Sequence, residues 1–375
     1  METVKILHCA DLHIGTGVAG LGEKGQNRKH EALLTFEKII NLARKEEVKL
    51  LLIAGDLLSS NQVSISSVKR ITECIAALPD TKVVFAAGNH DPMGAQSPFS
   101  MITLPDNFYI LPSEDSAIKL DDLGVCVFGR SFSESYLKGE HRFSLAPQEN
   151  YINIMCQHGE LKSDLSSNYN AITPEFIDNS AMDYIALGHI HKRSEVMRRG
   201  NTFFAYSGCA EGLGFDELGE KGVYIGEVGK GVCDLRFYKT SLRTFESLEV
   251  DVSDCADTPA AAEKVLTVLK EKFGDSFPDN FYKIAITGGV ADGKWFDTGE
   301  IAARLLQNVY FAKIKDKTEI SADLEVLRRE KSLKGMFADN MLKKIEAEPE
   351  RADTLRAALS LGLKAFYTEV EYREN

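Results

Sequence analysis

Val4-Lys5-Ile6-Leu7-His8-Cys9-Ala10-Asp11-Leu12-His13 opens the chain as an apolar run that stops at an Asp-x-His triplet. Val4 to Ala10 reads as a buried strand, and the triplet falls just after it, where the chain turns. The arrangement recurs. Leu50 to Ala54 runs into Gly55-Asp56, and Val83 to Ala87 into Gly88-Asn89-His90-Asp91. Tyr151 to Cys156 precedes His158-Gly159, and Tyr184 to Leu187 precedes Gly188-His189-Ile190-His191. Open α/β sheets bind ligands just beyond their strand ends, because several loops face one crevice there. Five of the chain's eight histidines lie in these blocks. Imidazoles, carboxylates and one amide drawn from distant points in sequence are what a site for two divalent cations requires.

Around these blocks the pattern is layered. Val125 to Gly129 adds another strand, and Arg28 to Arg44 has helical periodicity with Leu33, Phe36, Ile40 and Ala43 on one face. Strands alternating with helices predict α/β layers with helices outside the sheets. Thr202 to Tyr206, Val223 to Glu227 and Asp234 to Tyr238 lack helices between them and predict antiparallel strands. The expected fold of residues 1–241 is therefore an α/β two-sheet sandwich flanked by helices. A boundary is expected near Ser241 to Arg243. Residues 242–318 then repeat strand (Glu246 to Val252), helix (Pro259 to Lys272), strand (Tyr282 to Thr287), helix (Thr298 to Gln307) and strand (Val309 to Ile314). This small α/β capping domain contains no histidine, so substrate contact or assembly is its expected role. Residues 319–375 form a helical C-terminal segment. Leu333, Phe337, Met341 and Ile345 make one apolar stripe, and Leu355, Leu359, Leu363, Phe366 and Val370 a second. The pair either packs on its own domain or docks a partner.

Composition narrows the setting. The net charge of −12 argues against a protein coated in nucleic-acid-binding surface. It does not bear on a local site, where two bound cations would make one patch positive. No apolar run approaches the roughly 20 residues needed to cross a bilayer, and the first residues lack the regions of a signal peptide. Seven scattered cysteines without a CxxC pair read as reduced thiols, which makes the cytoplasm the expected location. No membrane partner is expected.

Hydrolysis of a phosphoester needs a nucleophile at neutral pH, charge relief on the phosphoryl oxygens and help for the leaving group, and two metals about 3.5–4 Å apart serve the first two. A carboxylate shared between them would fix that spacing, and Asp56, near the middle of the set, is the candidate. The order DxH, GD, GNH(D/E), H, GHxH resembles the signature of the calcineurin-like metallophosphoesterases. That resemblance implies Asp11, His13, Asp56 and His191 on one metal, and Asp56, Asn89, His158 and His189 on the other. It implies His90 as the non-ligand histidine that protonates the leaving oxygen, with Asp91 orienting it. Outside the blocks, His8 reads as a core residue, and His30 and His141 as surface residues. Arg130, after a strand, is a candidate phosphate contact, whereas Lys192 and Arg193 read as a solvated basic turn, with neutralisation of substrate phosphates as the alternative.

The resemblance can be narrowed. Cys9 to Gly15, Gly55-Asp56-Leu57-Leu58, Ala186 to Lys192, Tyr206-Ser207-Gly208 and Phe215 to Gly222 look like the SbcD-type branch, whose members are nuclease subunits of DNA double-strand-break repair complexes. The C-terminal part, with Leu333-Lys334-Gly335-Met336-Phe337, looks nearer to the YhaO-like subgroup. This implies DNA as substrate, an SbcC-type coiled-coil ATPase as partner, a homodimer, and two divalent ions, manganese in the first place with iron or zinc as alternatives. One departure stands out. Three residues after Asp56, where the superfamily often carries His or Asp, this chain has Ser59, whose hydroxyl cannot orient His90 as a carboxylate would. A small-molecule or nucleotide phosphodiesterase and a catalytically weak regulatory subunit are the competing readings.

Overall fold

A computed structural model describes residues 2–140, 143–163, 167–291, 294–320 and 324–366. The chain divides into two compact units, Met1–Thr244 and Phe245–Asn375. His141 and Val370 lie outside the described residues.

The first unit is built on two six-stranded sheets. One runs Val232–Lys239, Gly222–Gly229, Thr3–Cys9, Leu50–Ile53, Lys82–Phe85, Phe108–Ile110. The other runs Met197–Arg199, Thr202–Tyr206, Tyr184–Gly188, Ile152–His158, Val125–Gly129, Ser116–Leu120. Their central strands are parallel. In the first sheet, Glu23–Lys45 and Ile65–Ala76 supply the helical crossovers that parallel neighbours need. Alternate residues explain why these strands are apolar throughout. Leu7, Leu51, Ile53, Val83 and Phe85 pack under Phe36, Ile39, Ile40, Ile71 and Ile75 of the helices. Ile6, Leu50, Leu52 and Val84 pack against Val125, Val127, Ile154 and Tyr184 of the second sheet. Both faces are covered, as continuous hydrophobic strands predict.

One strand runs against expectation. Thr202–Tyr206 is parallel to Tyr184–Gly188, and only Met197–Arg199 opposes it. The chain reverses in the three-residue strand Met-Arg-Arg and again at Gly200 (φ +56°), so no crossover helix marks the return. The other two late strands form the expected antiparallel hairpin, Gly222–Gly229 with Val232–Lys239.

The second unit carries a parallel sheet in the order Phe245–Asp251, Phe281–Thr287, Phe311–Asp316, under Thr258–Phe273 and Thr298–Leu305. Its core includes Val250, Ile284, Ile286, Val265, Leu269 and Ile301. Leu333–Ala347 and Ala352–Lys364 close on a separate cluster around Leu327, Ala338, Leu359 and Leu363. Leu333, placed in the apolar stripe by its spacing, is 74% exposed, and Phe366 is exposed too. Phe337, Met341 and Ile345 of the stripe do pack on the cluster, and Gly335 is buried where a Cβ would collide with the Glu330 carbonyl.

A buried charge cluster ties the first helix to the chain that follows the sheets. Arg28, fully buried, donates to Glu31 (2.5 Å), to Glu211 (2.8 Å) and to the Gly212 carbonyl (2.6 Å). Thr35 and the Leu242 amide also donate to Glu211, and Arg243 donates to Glu31. Removing one partner strands the others without water. Arg28→Ala should therefore cost about 3–5 kcal/mol of stability in urea unfolding, whereas truncating the exposed pair Arg70–Glu37 should cost under about 1 kcal/mol.

Candidate metal centre

The parallel registers bring the block-bearing strand ends together. Cys9 pairs with Ile53 and Ile53 with Phe85 in one sheet, and Gly188 pairs with His158 in the other. The sheets touch where side chains are missing: a Cβ on Gly188 would collide with the Ala54 carbonyl oxygen, and one on Gly55 (φ +93°) with the His158 ring. The first two loops are also laced together. Asp11, His13 and Ile14 donate their amides to the carbonyls of Gly55, Asp56 and Leu57. Among the described residues, Asp11, His13, Asp56 and His189 are non-glycine residues with positive φ, from 45° to 100°. Each such residue costs on the order of 1–3 kcal/mol, and strain of this kind collects at functional sites.

Asp11, His13, Asp56 and His158 are buried. Ligand-type atoms of Asp11, His13 and His191 lie within 4.8 Å of one another, as do those of Asp11, Asp56 and His158. Asp56 Oδ2 sits 3.7 Å from His13 Nε2 and 3.5 Å from His158 Nε2, between the two groups, which suits the shared carboxylate. Its Oδ1 accepts the His90 amide at 2.9 Å. The His189 amide donates to both oxygens of Asp11, and the His189 ring lies 5.2 Å from that of His158 and 4.7 Å from Tyr169.

The hydrogen bonds decide which ring nitrogens are free. His158 Nδ1 faces the Ala54 carbonyl at 2.9 Å and must carry the proton. Its Nε2 lone pair then points at Asn89 Oδ1, 3.0 Å away, so two acceptors face each other. His191 Nδ1 faces Glu217 Oε1 at 2.5 Å, and its Nε2 meets His13 Nε2 at 3.1 Å. A positive charge between His158 Nε2 and Asn89 Oδ1 resolves the first contact, and the mixed oxygen and nitrogen set suits a borderline divalent ion. The residues fit a pair of metal ions.

Burial and mutual charge displace the protonation of these groups. Burial pushes the Asp11 carboxyl up to about 6. Burial lowers His13 to about 3 and His189 to about 4. Burial would also lower His191, but the Glu217 hydrogen bond and the charges of Asp11, Glu217 and Asp56 outweigh it and raise the ring to about 9.

His90 stands apart. It is exposed, its ring meets that of His13 edge-on at 4.8 Å, and its Nδ1 contacts the Ser59 backbone carbonyl at 3.2 Å. Asp91, expected to orient it, instead accepts the amides of Leu58 and Gly88 and is fully buried. Asp91 braces two loops. The acceptor at His90 Nδ1 is the main-chain carbonyl of the residue at the departing position.

Glu217 escaped sequence reasoning. It holds His191 Nδ1 with one oxygen and accepts the Leu213 amide with the other. Tyr206 is similar, linking the Gly159 carbonyl to the Leu161 amide. Both lie in the blocks that follow GHIH, and their clustering there was the only signal. Arg130 contacts Asn170 and Asp115. His8 is buried between the Tyr184 hydroxyl and the Leu187 carbonyl, whereas His30 is exposed.

The sequence profile of the calcineurin-like phosphoesterases matches residues 4–193. The chain belongs to that family. It is 29% identical over 286 residues to the "Uncharacterized metallophosphoesterase YhaO" of Bacillus subtilis, covering 71% of this chain and 67% of the relative. To the "DNA double-strand break repair protein Mre11" of Aeropyrum pernix it is 25% identical over 270 residues, 67% of this chain and 64% of the relative. To the protein of the same name in Methanopyrus kandleri it is 24% identical over 360 residues, 87% and 76%. The chain thus spans about two thirds of the length of the first two relatives.

If Glu217 fixes the His191 ring, Glu217→Ala should weaken divalent metal binding about 10–100-fold in calorimetric titration, with Glu217→Gln recovering part of the loss. Because the Ser59 carbonyl and not its hydroxyl holds His90, Ser59→Ala should keep turnover of a chromogenic phosphodiester within about twofold; a loss as large as that of His90→Ala would refute the assignment.

Proposed function

We propose that this chain is a metal-dependent phosphodiesterase that cleaves DNA, as exonuclease or endonuclease, as the nuclease subunit of a double-strand-break repair complex in the cytoplasm. The convergence of Asp11, His13, Asp56, Asn89, His158, His189 and His191, with His90 unencumbered at its mouth, carries the reading. Asp11, His13, Asp56 and His191 hold one ion in this reading, and Asp56, Asn89, His158 and His189 the other. Two bound divalent ions, manganese by preference, supply charge to the phosphoryl oxygens and an acidified water.

The remaining chemistry belongs to the side chains. Asp56 fixes the spacing of the two half-sites and, through Oδ1, the backbone of His90. The Ser59 carbonyl accepts a hydrogen bond from His90 Nδ1–H, so Nε2 is the nitrogen left to deliver a proton to the leaving oxygen. The names of the Mre11 relatives support DNA as substrate. Leu333 and Met336, 74% and 63% exposed on one helix, support docking of an SbcC-type coiled-coil ATPase on the C-terminal segment.

The test is Mn²⁺-dependent cleavage of end-labelled duplex DNA and of a small chromogenic diester by wild type, His90→Ala and Asp56→Asn, with and without EDTA. Loss of a general acid should cost His90→Ala about 10²–10⁴-fold, and EDTA should abolish cleavage. Turnover of the small diester alone, unchanged by adding the ATPase, would replace this reading with a small-molecule phosphodiesterase. Two bound metals with no turnover would make the chain a regulatory subunit.

A further inference from the structure

A polar cavity of about 110 Å³ opens beside the candidate centre, and His191 belongs to both. Lys192, Arg193 and Lys221 line it, and the carboxylate among its described lining residues, Glu220, is already paired with Lys239 at 3.3 Å. The Arg193 guanidinium is held in place: it lies 4.4 Å from the Phe237 ring centroid and donates to the Tyr224 hydroxyl at 3.4 Å. Tyr224 in turn donates to the Ser194 carbonyl. Lys192 is exposed beside it. Arg193 also lies 3.8 Å from the exposed Glu195 carboxylate, which leaves Lys192 and Lys221 as the cations at the cavity with no carboxylate ion-pair partner among the described residues, in a chain of net charge −12.

We infer that this cavity is a subsite for a second phosphate of the substrate, neighbouring the phosphate attacked at the metal centre. Its chemistry is that of an anion cradle with one rigid planar cation and two mobile ammonium groups. A substrate that fills both places carries at least two phosphates on one backbone, as a polynucleotide does and a simple diester does not. The inference rests on the nuclease reading and adds to it the residues that would hold the neighbouring phosphate. Lys192 and Lys221 would supply the sequence-independent, salt-sensitive part of binding.

The experiment compares wild type, Lys192→Ala, Lys221→Ala and the double variant on a single-stranded oligonucleotide and on a chromogenic diester with one phosphate. A third arm measures inhibition of chromogenic turnover by the oligonucleotide. In the double variant, kcat/KM for the oligonucleotide should fall at least tenfold further than that for the small diester. The slope of log kcat/KM against log salt should flatten by about 0.7, since the one phosphate neutralised in the cavity contributes about 0.7 to it on a single strand. An equal fall on both substrates, or an unchanged slope, would overturn the subsite. If wild type does not cut the oligonucleotide, the nuclease reading fails by itself. The inhibition arm then decides the subsite: a tenfold or greater rise in the oligonucleotide's inhibition constant in the double variant supports it, and an unchanged constant refutes it.

Discussion

The contact between Gly188 and the Ala54 carbonyl is the constraint on which the centre depends. It lets the two sheets meet backbone to backbone at their strand ends. A side chain there would hold the loops apart, and no choice of ligand residues could then bring Asp56 Oδ2 within 4 Å of both His13 and His158. The glycine at Gly55 serves the same end, admitting the His158 ring under the first sheet. Glycines that look like turn punctuation in the GD and GH blocks are therefore packing surfaces. The covered strands behind them supply a stiff support, with apolar residues on both faces of each sheet.

That support holds a costly arrangement. Two carboxylates and several imidazoles are taken out of water, and four of the candidate ligands adopt left-handed backbone conformations. Left without a cation, the cluster compensates by shifting protons: Asp11 is pushed toward neutrality, His13 and His189 lose basicity and His191 gains it. The left-handed backbone and the buried polar groups are both costs that the stiff sheets behind the loops sustain.

Much of this was legible in the sequence, for identifiable reasons. Strands covered on both faces give unbroken apolar runs, so their ends, and the polar blocks after them, are conspicuous. The direction of Thr202–Tyr206 was not, because a three-residue strand rich in arginine carries no periodicity. Arg28 on a helix reads as solvent-facing, and nothing local reveals that Glu211, 183 residues away, buries it. Glu217 was hidden for a similar reason: an acidic residue in a loop is ordinary, and its partner His191 lies 26 residues earlier. Leu333 shows the converse failure, since apolar spacing says that a stripe exists but not that every member is covered.

Ser59 shows how a local departure can leave the chemistry intact. Orientation of an imidazole requires an acceptor at one ring nitrogen, and the acceptor need not be charged or even a side chain. A backbone carbonyl fixes the tautomer and ring plane of His90 as a carboxylate would, but adds no negative charge beside it. Geometry and charge are thereby separated at this position. The main chain sets the direction in which the ring can pass a proton, and any residue at position 59 supplies that carbonyl. A charged side chain there would act only on the ease of the transfer, a matter of rate. A hydroxyl at position 59 is thus compatible with a working leaving-group acid, and the weight of the regulatory-subunit reading, which rested on that residue alone, falls accordingly.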